Sequence, residues 1–314
     1  MQKISYSSLK NEAEAYWKWV QETPAPAIPA PVAREGAGSE LRTPIMHYGV
    51  VMPVYMSVAR YLKALKPKKG MRLIELGSGS GRPLTYLKTL FPELEVWGVD
   101  YSADGIAYAK KSYGKQGVKF KHVRAQDTSL KKEHFDFVIS SHVIEHVTKD
   151  EGLDFLQEAY RLLKPGGYLF VGTPERRMCQ ELYMKNPTDK LKGRLVPPHE
   201  HEYTLPELKK LAQQVFPAKS VTVDMLVNPK FHTIFKEIIH KFKPKGTFTS
   251  KATSTSYRTI RDMIPRPIFD TVGRIGAKQQ MKKHGYTFQD ILMANSIQKE
   301  GRKAPDNLFL VCRK

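Results

Sequence analysis

Cysteine is nearly absent from this 314-residue chain: Cys179 and Cys312 lie far apart and in no metal-ligand spacing. That excludes a disulfide framework and makes a reduced, cytoplasmic compartment the default expectation. Long hydrophobic runs are missing too. No stretch approaches the roughly 20 apolar residues that span a bilayer, and the most apolar one, 45–65, is interrupted by His47, Gly49, Pro53 and Arg60. The opening Met1-Gln2-Lys3-Ile4-Ser5-Tyr6 lacks the apolar core of a secretory signal. Acidic residues are scarce: 51 Lys and Arg against 31 Asp and Glu leave a formal charge of +20. The excess is concentrated late, with 18 basic residues against 6 acidic from Lys230 onward. Such a surface attracts nucleic acid, anionic lipid or acidic substrates, or simply keeps the protein in solution.

What is present is a long alternation of strand and helix. Strands are expected at 71–76, 94–99, 118–123, 135–140 and 168–173, with helices between them, including one over 150–163 that Lys164-Pro165-Gly166-Gly167 ends. Repeated βα units of this length build a parallel sheet covered by helices on both faces. A helix starting at Thr204, with Glu207 completing a capping box, precedes a sixth strand at 221–227, and 307–312 makes a seventh. The expected fold is therefore α/β and Rossmann-like, with a seven-stranded, mostly parallel sheet. Four parts follow: an arm over 1–44, with a helix at 7–21 and a Pro/Ala-rich linker or flap; the core, 45–228, whose first helix Pro53 divides or kinks; a basic helical insertion, 229–303; and the last core strand, 304–314.

The first strand runs straight into Gly77-Ser78-Gly79-Ser80-Gly81 and then a helical pattern. Glycines there permit a tight turn and close backbone approach to a ligand, and the helix N-terminus aims free N–H groups at it. Asp100 closes the second strand, where a carboxylate accepts hydrogen bonds from the ribose hydroxyls of an adenosine-containing ligand. The G-x-G-x-G spacing departs from the G-x-G-x-x-G of nicotinamide-binding Rossmann enzymes, the near competitor.

These segments resemble the class I S-adenosylmethionine-dependent methyltransferases of the small-molecule branch. The resemblance rests on Glu75-Leu76-Gly77-Ser78-Gly79-Ser80-Gly81, on Val99-Asp100-Tyr101-Ser102, on Gln126-Asp127-Thr128, on the stretch from Phe135 to Val147, and on Leu162-Leu163-Lys164-Pro165-Gly166-Gly167. Gln126 in place of glycine and Arg82-Pro83 after the third glycine are mild departures. The resemblance implies S-adenosyl-L-methionine as cofactor. Gly77, Gly79 and Gly81 would form the turn beneath its methionine portion and Glu75 would orient that turn and the cofactor ammonium. Asp100 would hold the ribose and Tyr101 cover one adenine face. Gln126 and Asp127 would meet the adenine edge, and Ser140 and His142 would line the methionine end.

Transfer from a sulfonium is an in-line displacement in which the cofactor brings the activated group. A base is needed only when the acceptor must lose a proton. The candidates are His199, His201 and Tyr203, in Pro197-Pro198-His199-Glu200-His201-Glu202-Tyr203, where related methyltransferases often carry a histidine facing the acceptor. His142-x-x-Glu145-His146 matches an inverted zinc-protease motif but follows a strand instead of lying in a helix. The histidines 142, 146, 199 and 201 have ligand chemistry, yet their spacing demands no ion, and no resident metal is expected.

The insertion carries Phe231, Ile234, Phe235, Ile238, Ile239 and Phe242 on one helical face, and a second apolar set, Ile260, Met263, Ile264, Ile268, Phe269, Val272 and Ile275, broken by Pro265 and Pro267. These elements are expected to cap a small or lipid-like acceptor. A basic amphipathic helix also suits an anionic membrane surface, giving a peripheral location. RNA is the weaker alternative, because the insertion holds no recognisable RNA-binding module. A catalytically silent binding protein is the remaining one, disfavoured by the intact glycine turn and Asp100.

Overall fold

The computed structural model describes residues 9–22, 47–177, 199–242, 266–298 and 306–314. The Pro/Ala-rich linker, Cys179, Pro197, Pro198 and the Ile260–Ile264 part of the insertion lie outside them. Helix α1 (Lys10–Glu22) is followed by a π-turn (His47–Val51) and α2 (Met52–Leu65). The alternating region runs β1 (Arg72–Leu76), α3 (Arg82–Leu90), β2 (Glu95–Asp100), α4 (Ala103–Tyr113), β3 (Val118–His122), β4 (Phe135–Ser141), α5 (Lys149–Leu162) and β5 (Leu163–Pro174). Then come α6 (Leu205–Ala212), β6 (Thr222–Val227), α7 (Pro229–Phe242), α8 (Arg266–His284), α9 (Phe288–Met293), β7 (Ser296–Gln298) and β8 (Asn307–Arg313).

One sheet has the order β3-β2-β1-β4-β5-β8-β6-β7. β3 to β5 pair in parallel, and β8 enters antiparallel to both β5 and β6. The sheet has eight strands, not the expected seven. The extra one, β7, comes from within the insertion and pairs antiparallel with β6. Its three residues are too few to show a period of two, and its brevity suits an edge, where long unpaired strands invite aggregation.

The strands are apolar on both faces because both are covered. Leu73 packs into a cluster with α1 to α4, whereas its neighbour Ile74 packs into the cluster of α5 and α6. α1 is held to this body by Tyr16 and Trp19, both buried, with Tyr16 edge-on to Tyr86 of α3 and Arg82 5.0 Å from the Trp19 ring centroid. Arg82, an unusual residue after the third glycine, thus faces the N-terminal arm. Pro53 lies in the first turn of α2, where its missing N–H costs no hydrogen bond, so it divides the π-turn from the helix without kinking it.

The insertion builds its own small core from Val50, Phe231, Ile234, Ala277, Met281 and Ile291. The side chains of Phe235, Ile238, Ile239, Phe242, Ile268, Phe269 and Val272 lie outside the described residues. Ile275, expected on the apolar face, is 51% exposed. The inward face of α8 is set by Ala277, Gln280 and Met281, and a residue two positions before Ala277 projects to the opposite side. Buried amides join this body to the sheet: Asn228 Nδ2 donates to Ile291 O (2.6 Å) and Asn295 Oδ1 (2.8 Å), and Asn307 Nδ2 to Val50 O (2.6 Å).

Candidate active site

Strand order reverses between β1 and β4, and in open α/β sheets ligands bind in the crevice beyond the carboxyl ends of the strands at that point. Gly77 follows β1, Asp100 ends β2 and His142 follows β4, so the topology gathers at one rim residues that are up to 65 positions apart in sequence.

The glycine turn is stitched to its neighbours. Gly77 N and Ser78 N both donate to Val99 O at 2.8 Å, and Gly81 N donates to Ser78 O at 2.9 Å. Gly77 has φ +81°, and a Cβ there would come within 2.2 Å of Val143 Cγ2, so backbone geometry and the β4 rim both require glycine. Asp100 Oδ2 accepts from Gly79 N (2.8 Å) and Oδ1 from Ser102 N (2.9 Å). The carboxylate therefore sets the turn. Tyr101 beside it is 71% exposed.

Glu75 lies beneath the turn with no solvent exposure. The Tyr55 hydroxyl of α2 donates to its Oε1, while its Oε2 is buried with no hydrogen-bond partner. Burial pushes the acid up to about 8; the Tyr55 hydrogen bond opposes the rise and the Asp100 charge adds to it. Tyr55 was not legible as a site residue, because only packing of α2 under β1 joins two positions 20 apart.

Ser140 turns its hydroxyl onto Leu76 O (2.8 Å), tying β4 to β1. Gln126 and Asp127 follow β3. Asp127 is exposed and accepts from Ser129 N (3.3 Å), and both residues line an open groove of about 520 Å³ with Arg124, Glu151, Asp154, Gln157, Glu158 and Arg161. No residue of the glycine turn lines that groove.

The second half of the rim is built from the segments after β4 and β5. His142 has φ +59°, a strained conformation for a non-glycine residue, held by its N–H donating to Gly172 O (2.9 Å). Its Nε2 is buried with no hydrogen-bond partner. Glu145, in a short 3₁₀ turn (Ile144–His146), has no exposure; Thr173 Oγ1 donates to its Oε2 at 2.9 Å. Burial alone would raise this acid, but His142, His146 and His199 draw it down to about 2. The backbone carbonyl of Glu145 accepts from Glu200 N (2.7 Å) and His201 N (3.1 Å), which joins the two loops.

The three candidate bases fare differently. His199 Nδ1 lies 3.1 Å from the fully buried Glu202 carboxylate, and its ring is edge-on to His146 with centroids 4.9 Å apart. His201 has Nε2 3.1 Å from an Arg176 guanidinium nitrogen; burial, then the Arg176 charge, lower its pKa. Tyr203 is wholly buried in the α5–α6 cluster, where a Cβ on Gly152 would come 2.6 Å from its hydroxyl, and burial raises its pKa. Its hydroxyl faces α5, so the structure places it in the core.

A family model described as a methyltransferase domain matches residues 74–171. The chain is 33% identical over 111 residues to a fatty-acid O-methyltransferase of Mycolicibacterium smegmatis, covering 34% of this chain and 38% of that protein. An arsenite methyltransferase of Aquipseudomonas alcaligenes is 36% identical over 126 residues, 36% of each chain. A ubiquinone biosynthesis O-methyltransferase of Rhodopseudomonas palustris is 35% identical over 122 residues, 37% of this chain and 45% of that one. The matched part thus spans less than half the length of these curated relatives.

Proposed function

We propose that this chain, which carries a class I S-adenosylmethionine-dependent methyltransferase domain, moves a methyl group to a small-molecule or lipid-like acceptor. The observation that carries the reading is the glycine turn pinned by Asp100 at the point where strand order reverses. The residues fit the cofactor's chemistry. Glu75 offers a buried oxygen without a hydrogen-bond partner to a cation, and Asp100 places a carboxylate at the end of β2 while holding the turn through Gly79 N. Bound S-adenosylmethionine supplies an activated methyl group on a sulfonium, and the chain's work is to orient acceptor and donor in line and exclude water.

The acceptor lies on the side of His142, Glu145 and the 199–203 loop. His199 is the better placed of the two histidines. With Nδ1 committed to Glu202 its Nε2 keeps a lone pair, whereas His201 turns Nε2 toward Arg176. The insertion, with its late excess of positive charge, suits an acceptor that is anionic or sits at an anionic surface. Among the described residues no helix is long and apolar enough to cross a membrane.

Two measurements test the reading. Calorimetry with S-adenosylmethionine is expected to show binding, and Asp100→Ala to weaken it on the order of 100-fold, since charge-assisted hydrogen bonds contribute roughly 1.5–3 kcal/mol each. Absence of binding overturns it. Labelled methyl transfer to a cell extract separated into RNA, protein, lipid and small-molecule fractions is expected to label the last two; label in RNA would transfer the reading to the basic face as an RNA-binding surface.

A further inference from the structure

We propose that Glu145, His146 and His199 form a binding site for one divalent transition-metal ion of the zinc class. Each offers one ligand atom, and these atoms all lie within 4.8 Å of one another. A tetrahedral ion with bonds of about 2.0–2.1 Å needs ligand atoms about 3.3 Å apart, so the set closes through a side-chain rotation. His146 is exposed and His199 half-buried, which leaves room for that movement.

Three features distinguish the cluster from a chance meeting of polar side chains. Glu145 is fully buried, and its Oε1 has no partner that meets hydrogen-bond geometry, its nearest polar neighbour being His142 Nδ1 at 3.2 Å as an ion-pair contact. An unsatisfied carboxylate oxygen without solvent is costly unless something is brought to it. Second, the buried Glu145 and the half-buried His199 already have outer partners. Glu202 holds His199 Nδ1, which leaves Nε2 with its lone pair outward, and Thr173 Oγ1 fixes the other oxygen of Glu145. Carboxylate–histidine pairs of this kind set the tautomer and orientation of metal-bound imidazoles. Third, the loops that carry the ligands are fastened to each other through the Glu145 carbonyl, so the set is preorganised across more than 50 residues of sequence.

Two imidazoles and one carboxylate favour a borderline ion over magnesium or calcium, which prefer all-oxygen shells. Three protein ligands leave a position open on the exposed His146 side, where an ion would take water or an acceptor oxygen and lower its pKa. The set differs from the inverted protease motif: His142 takes a left-handed conformation and Glu145 and His146 lie in a 3₁₀ turn, so the motif does not form one helical face.

The test uses the full chain, freed of metal with a chelator and titrated with Co²⁺ as a visible-absorption probe, then with Zn²⁺ in competition. One Co²⁺ per chain is expected, with the ligand-field spectrum of a four- or five-coordinate site, displaced by Zn²⁺. His146→Ala and His199→Ala are each expected to weaken binding roughly 100-fold, and Glu202→Gln about 10-fold, as outer partners of metal ligands do. His201→Ala should leave affinity unchanged. Thermal melts without metal identify any variant that fails to fold; His146, being exposed, is the one that keeps the test decisive. No stoichiometric spectrum in the wild type, unchanged affinity in a folded His146→Ala, or equal loss in His201→Ala overturns the site. Neither S-adenosylmethionine nor methyl transfer enters the measurement, so its failure leaves the methyltransferase reading untouched.

Discussion

Glu75 lies near the end of β1 and Glu145 in the turn that follows the neighbouring β4, both without solvent exposure, yet their surroundings shift their acidity in opposite directions. Glu75 is under the glycine turn with one tyrosine hydroxyl and another carboxylate nearby, and is pushed up to about 8. Glu145 is surrounded by three histidines and is pulled down to about 2. Burial acts on both in the same direction, so the neighbours decide. The contrast divides the rim by chemistry. Under the glycine turn the acid is shifted upward, and beside the 199–203 loop it is shifted downward among histidines.

The largest expected break is Glu145→Ala. It strips the Thr173 hydroxyl and the histidines of their common partner and is expected to cost about 3 kcal/mol, the scale of removing one member of a buried pair. Urea unfolding at neutral pH measures it. Because the native pKa of Glu145 lies below its ordinary value of 4.5, its contribution is present above that pH and is lost as pH falls toward about 2. The gap between wild type and variant should therefore close over that window.

Glu75→Gln should behave in the opposite way. The native protein holds the Glu75 proton more tightly than the unfolded chain between about 4.5 and 8, so wild-type stability is highest below that window and falls as pH rises through it. The variant should match wild type in acid and grow more stable than it as pH rises through the window, with the difference levelling off above pH 8. Equal destabilisation at every pH would mean that the native acid is ionised, and would erase the contrast between the two sites.

Tyr55→Phe gives the smallest effect and sharpens the comparison. Removing a hydrogen bond that holds the Glu75 acid down should move the alkaline decline in stability to higher pH and change stability near neutral pH by about 1 kcal/mol. A decline at unchanged pH would show that Tyr55 packs against Glu75 without tuning it.

Much of this rim could be read from the chain alone. The residues that announce themselves do so through local rules: apolar strands ending in glycines at alternate positions, an aspartate at the end of the next strand, and Lys-Pro-Gly-Gly after a helix. The positions of β1 to β5 follow from such patterns to within a few residues, except that β5 begins earlier, at Leu163, because Leu163 pairs with Phe135 across a register shift. Partners supplied by tertiary packing leave no local trace. Tyr55 meets Glu75 only because α2 lies under β1, and Glu145 meets the 199–201 segment only because the loop after β5 closes on its carbonyl.

The sequence by itself thus determined the alternating fold, the glycine turn and the methyltransferase resemblance, since period, turn chemistry and spacing act over a few residues. Tertiary structure alone decided which histidine is turned toward Glu202 and which toward Arg176, that Tyr203 belongs to the core, that the insertion lends the sheet an eighth strand, and that the acidities of two buried glutamates shift in opposite directions. Those outcomes depend on which distant groups share a low-dielectric interior, and no local pattern encodes that distance.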